Sequence, residues 1–274
     1  MNNLGFIQGR LSPIVNNQIQ AFPWQYWKEE FGIASELELK LIEWTLDHED
    51  IRKNPFLLND QQQVILELLD KYSMTIPSLT GDCFMQKPFY KEKNESERLQ
   101  LVEILKDIIK SCGILKTRYI VLPLVDNGSL ENTEQEKILE DTLFSLVELL
   151  ESNVVKIIFE SDLPPDKLAL FIEKYSSEYF GINYDSGNSA SLGYDISEEF
   201  KSYSDRIDNI HIKDRLLGGT TVPLGKGNCN FEELFNNVKK YNYRGNLILQ
   251  TARANDGDHR RALVKYKNFV EGYL

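Results

Sequence analysis

Cysteine and histidine are scarce in this chain. The three cysteines, Cys83, Cys112 and Cys229, form no CxxC pair, which excludes a disulfide framework and a thiolate zinc site as expectations. His48, His211 and His259 are the only histidines, so a catalytic cysteine has few imidazoles to pair with. Positive charge is in the minority, 31 Lys and Arg against 42 Asp and Glu, and a net charge of −11 argues against general affinity for nucleic acid or an anionic membrane. No run approaches the roughly 20 apolar residues that span a bilayer. The opening MNNLGFIQGRLSP has no long apolar core of the signal-peptide kind, which makes the cytoplasm the expected compartment. The glycine fingerprint GxGxxG is also missing after the first strand, which removes the main mark of a dinucleotide-binding open sheet.

What the chain does have is 42% hydrophobic residues in short runs that alternate with helical stripes, enough for a large core. The runs predict strands at Leu4 to Ile7, Leu39 to Glu43, Thr75 to Leu79, Tyr119 to Leu122, Val154 to Glu160, Phe180 to Asp185, Ile207 to Ile212 and Asn246 to Leu249. Between them, apolar residues recur at helical spacing. One stripe is Leu101, Ile104, Leu105, Ile108 and Cys112, with Gly113 as the expected stop. Another is Leu139, Leu143, Leu146, Val147 and Leu150, with Thr133 as the expected start. Strand ends fall 25 to 43 residues apart, room each time for a loop, a helix and the next strand. Eight such units predict a single (β/α)8 TIM barrel domain over residues 1–274. The longest expected non-helical insertion, Gly81 to Asn94, is a candidate lid or substrate loop.

In such a barrel the active site lies at the carboxyl ends of the strands. The polar residues there are Gln8 and Arg10, Glu43, Asp82, Glu160, Asp185 with Asn188, His211 with Lys213, and Gln250 with Arg253. Alternation along Asn209 to Lys213 puts His211 and Lys213 on one face. Glu160, Asp185 and His211 end consecutive strands. Two carboxylates and one imidazole suit a divalent ion such as Mn²⁺, Mg²⁺ or Co²⁺ better than a thiolate-type zinc site. The structural alternative is that the two acids cap the helices that follow them.

The chain resembles the xylose-isomerase-like TIM barrels known as sugar phosphate isomerases or epimerases. The resemblance runs through GFIQGRLSP, IEW, FES, YDSGN, HIKDR and VPLGKGNCNF. It implies a metal-dependent enzyme (Mn²⁺, Mg²⁺, Co²⁺ or Zn²⁺) that moves a proton beside the carbonyl of a sugar or sugar phosphate. By that resemblance Glu160, Asp185 and His211 are metal ligands, and Glu160 is also the proton-transfer group. Gln250 stands where the family has a further glutamate, so it is a weak ligand or a substrate-binding amide. Barrels of this group often pair, which leaves room for a homodimer.

A carboxamide cannot exchange a proton near neutral pH. A two-base epimerisation then needs Glu43, Asp82 or Lys226 as a substitute, whereas one-base isomerisation or lyase chemistry needs only Glu160. A catalytically degenerate sugar-binding barrel and a sugar dehydratase are the alternatives. Arg10, Glu43, Asn188, Lys213, Arg215, Lys226 and Arg253 complete the candidate site as substrate-binding residues, five of them cations suited to a phosphate or carboxylate.

Overall fold

The computed structural model describes residues 3–274. Eight parallel strands close into a barrel. They are Asn3–Ile7, Leu41–Thr45, Ser78–Thr80, Tyr119–Leu124, Lys156–Ser161, Phe180–Asp185, Ile207–Ile212 and Asn246–Leu249. The eighth pairs with the first, Leu249 opposite Phe6, so no edge is left open. The last three strands have the boundaries expected from sequence. The third begins later than expected, at Ser78, because Pro77 has no N–H for the ladder; Thr75 keeps only an isolated bridge to Leu41.

Apolar runs such as those of the fourth strand from Ile120 on, the fifth and the eighth are buried, as a sheet covered by helices requires. The stripe from Leu101 to Cys112 is buried on helix Glu95–Leu115. That helix passes through Gly113 rather than stopping there. A Cβ on Gly113 would lie 2.5 Å from Asn153 Oδ1, so the glycine serves close packing, and Lys116 in the left-handed region closes the helix instead. The next expected helix is two, Thr133–Phe144 and Val147–Asn153. Its cap is Asn132, whose Oδ1 accepts the Gln135 N–H at 3.0 Å, one residue before Thr133. The Gly81 to Asn94 segment is not free of helix. It holds the turn Asp82–Gln86 and the 3₁₀ turn Phe89–Lys91, pinned by buried Phe84, Phe89 and Tyr90.

One irregularity positions the site. Between the sixth and seventh strands the register shifts, so that Ile182 faces Ile207 while Asn183 faces Asn209. Asp208 is the extra residue, and it pairs with Lys156 at 2.5 Å. Beyond it, Asn209 and His211 run beside Asn183 and Asp185, and this inward face is polar. No helix among the described residues is long and apolar enough to cross a membrane.

Candidate active site

His211 lies at the centre of the barrel's upper layer with no exposure to solvent. Its Nε2–H donates to Glu43 Oε1 at 2.8 Å. Glu43 is equally buried and also accepts from Ser78 Oγ at 2.6 Å and Asn209 Nδ2 at 3.2 Å. The other ring nitrogen, Nδ1, lies 3.1 Å from Glu160 Oε2 and 3.7 Å from Asp185 Oδ2. Burial works against a charged imidazole, but Glu43, Asp185 and Glu160 outweigh it and push the His211 pKa well above its usual range.

Asp185 divides its two oxygens between structure and site. Oδ1 caps helix Ser186–Leu192, accepting the N–H groups of Gly187 and Asn188 at 2.8 Å each. Oδ2 faces His211 and accepts from Lys213 Nζ at 3.3 Å. The same ammonium donates to Gln250 Oε1 at 3.0 Å, so Lys213 bridges the sixth and eighth strands. Burial works to raise the Asp185 pKa, yet Lys213 and His211 hold it down at about 2. A Cβ on Gly187 would come within 2.6 Å of Lys213 Cγ, so only glycine lets the lysine stem pass.

Glu160 is held by two asparagine amides. Asn183 Nδ2 donates to Oε2 at 2.8 Å and Asn188 Nδ2 to Oε1 at 2.7 Å. Asn188 is oriented in turn by Arg215 Nη1 at 2.9 Å. Arg215 sits in a small hairpin, Asp214–Arg215 against Thr221–Val222, and its fork grips Gly219 O. Asp214 beneath it gathers the loop that follows, accepting the N–H groups of Gly225, Lys226, Gly227 and Cys229.

Above these groups opens a cavity of about 490 Å³, lined in part by Asp82, Glu160, Asn188, Lys213, Arg215 and Gln250. Glu160 belongs to that lining, and buried donor atoms of Glu160, Asp185 and His211 lie within 4.8 Å of one another. With Nε2–H committed to Glu43, one nitrogen and two carboxylate oxygens share a space that demands positive charge, either a proton on Nδ1 or a metal ion. One imidazole and two carboxylates form a donor set that could hold a divalent cation, and binding it would release the imidazole proton.

Other residues singled out from the sequence lie elsewhere. Glu43 is enclosed beneath His211. Arg10 is buried, its Nε donating to Thr251 O at 2.7 Å and Nη1 to Ile19 O at 2.9 Å. Burial and the neighbouring Arg253 lower its pKa to about 9. Arg253 donates to Ser12 O. Both arginines brace the loops after the first and eighth strands rather than the cavity wall. Lys226 is exposed, and it and Trp24 are not among the cavity-lining residues. Ser78, Asn183 and Asn209 were not singled out from sequence. Their signal was parity, since Asn183 and Asn209 stand two residues before Asp185 and His211 on the same strand face.

The family model of the xylose isomerase-like TIM barrel matches residues 31–267. The L-ribulose-5-phosphate 3-epimerase UlaE of Escherichia coli O1:K1 / APEC is 23% identical over 256 residues, 90% of each chain. The putative L-ribulose-5-phosphate 3-epimerase SgbU of Escherichia coli strain K12 is 24% identical over 262 residues, 90% of this chain and 91% of its own. Among solved structures, the D-allulose 3-epimerase of Methylomonas sp. superimposes with a TM-score of 0.78 at 13% identity, covering 100% of this chain and 98% of its own. These likenesses agree with the barrel observed, and with the match over most of its length the chain belongs to the xylose isomerase-like TIM barrel family.

Proposed function

We propose that the protein is a sugar or sugar-phosphate isomerase or epimerase that moves a proton at the carbon beside a carbonyl, with a divalent cation held by Glu160, Asp185 and His211. One observation carries this reading: the buried Glu160, Asp185 and His211 donors converge within 4.8 Å, and Glu160 among them lines the cavity. A cation there would polarise the substrate carbonyl and favour loss of the neighbouring proton. Glu160 is the base, because it lines the cavity and two asparagines fix both of its oxygens. Lys213 and Arg215 line the same cavity and favour an anionic substrate. Gln250 offers its amide to the substrate and takes no part in proton exchange.

The curated relatives are named for L-ribulose 5-phosphate, which makes that compound the first to try. Purified protein loaded with Mn²⁺ is incubated in deuterium oxide with a panel of ketose and aldose phosphates and the free sugars. The expected result is deuterium at the carbon beside the carbonyl of at least one of them, read by proton NMR. Absence of exchange across the whole panel refutes the reading.

A further inference from the structure

Gln250 leaves the eighth strand without a proton-transfer group, and the structure separates the three residues that sequence offers in its place. Glu43 has no exposure and spends its oxygens on His211, Ser78 and Asn209. Lys226 stands exposed, outside the cavity lining. Asp82 lines the same cavity as Glu160. It opens the helical turn after the third strand, and Oδ1 accepts from Thr80 Oγ1 at 2.9 Å, which fixes the carboxyl. The other ionisable groups of the lining are committed or peripheral. Lys213 is held by Asp185 and Gln250, Arg215 by Gly219 and Asn188, and Asp126 is exposed.

The charges acting on Asp82 include Asp47 after the second strand, Glu160 on the fifth, Lys213 after the seventh and Arg10 after the first. Burial, then Asp47, push its pKa up to about 7, with Glu160 adding to this and Thr80 and Lys213 opposing it. Burial thus favours the protonated carboxyl, the form that a proton donor needs.

We propose that Asp82 is the second proton-transfer residue of this site, acting from the third-strand side while Glu160 acts from the fifth. The inference rests on the isomerase or epimerase reading above. Glu160 takes the proton from the carbon beside the carbonyl. The C–H electron pair becomes a carbon–carbon double bond, and the carbonyl pair moves onto oxygen. Asp82 gives its proton to the same carbon from its own side, the carbonyl re-forms, and the configuration is inverted. Glu160 ends protonated and Asp82 ionised, and exchange with water resets both.

The test uses the full-length protein and the sugar phosphate found active in the exchange panel, starting from the epimer whose hydrogen faces Glu160. In deuterium oxide, Asp82→Asn is expected to slow epimer formation at least about 100-fold while deuterium exchange into unconverted substrate continues. Glu160→Gln is expected to lose both. Asp82→Glu should recover part of the epimer formation, which a purely structural role would not produce. The inference is overturned if Asp82→Asn forms epimer within about threefold of wild type, or if it loses exchange as completely as Glu160→Gln. Should the unaltered protein exchange nothing in the panel, the underlying reading fails and Asp82 with it.

Discussion

On the side of the mouth formed by the fifth to seventh strands, Glu160, Lys213 and Arg215 each bind other side chains and line the cavity. On the side formed by the eighth and first strands, charged side chains turn to backbone. Arg215 orients Asn188 and through it Glu160, whereas Arg10 and Arg253 hold the carbonyls of Thr251, Ile19 and Ser12. Two buried glutamates repeat the contrast. Glu43 accepts from His211, Ser78 and Asn209, while Glu30 accepts the N–H groups of Gly9 and Leu11. The partner, more than the burial, shows what a buried charge is for. A group tied only to backbone braces a loop; a group tied to side chains of the site, as Glu43 is to His211, positions chemistry.

The comparison is sharpened most by Glu160→Gln. It removes the base, so turnover and deuterium exchange should fall about 10³-fold or more, and because glutamine offers one acceptor where Glu160 offers two, one asparagine amide loses its partner at a cost of roughly 1 kcal/mol in thermal unfolding. The second effect belongs to the other side. Glu30 has its pKa raised from 4.5 to about 7, chiefly by burial. The folded protein keeps that proton to about pH 7, whereas the unfolded chain releases it near 4.5. Glu30 thus contributes stability below pH 4.5 that is lost as pH rises to 7, on the order of 3 kcal/mol. Urea unfolding at pH 5 and pH 8 should show a shallower pH dependence in Glu30→Gln; an unchanged dependence breaks the assignment.

The smallest effect separates the arginines. Arg215→Met should raise KM about tenfold through lost orientation of Asn188. Arg253→Met should leave KM and kcat within about twofold while costing roughly 1 kcal/mol of stability, as loss of a backbone brace does. Equal kinetic losses in the two variants would erase the distinction between the sides.

The extent to which the sequence foretold this follows the same division. The strands of YDSGN and HIKDR ended where expected and that of FES ran one residue further, to Ser161, with strand parity fixing which face each side chain takes. Convergence of Glu160, Asp185 and His211 then followed from barrel closure. Residues beyond the strand ends were a different matter. Whether Arg10 or Arg253 reaches the cavity depends on loop backbone, and the carbonyls that captured them have no sequence signature. Lys213 depends on packing in the same way: the adjacent Asp214 is taken by four N–H groups of the following loop, and the ammonium lies between Asp185 and Gln250. Asp82 stood in the strand-end list from the start. Its standing changed only when the packing of Glu43 and the exposure of Lys226 removed its rivals.

The central claim is that His211, fixed by Glu43, joins Glu160 and Asp185 as one cation site. It is tested most directly by calorimetric titration of Mn²⁺ into chelator-treated protein. The account predicts one ion per chain, an affinity lowered at least about 100-fold in His211→Ala, and one lowered about 10- to 100-fold in Glu43→Gln, which removes no ligand and alters only the partner of His211. No uptake by the unaltered protein, or uptake that both variants leave unchanged, would contradict it.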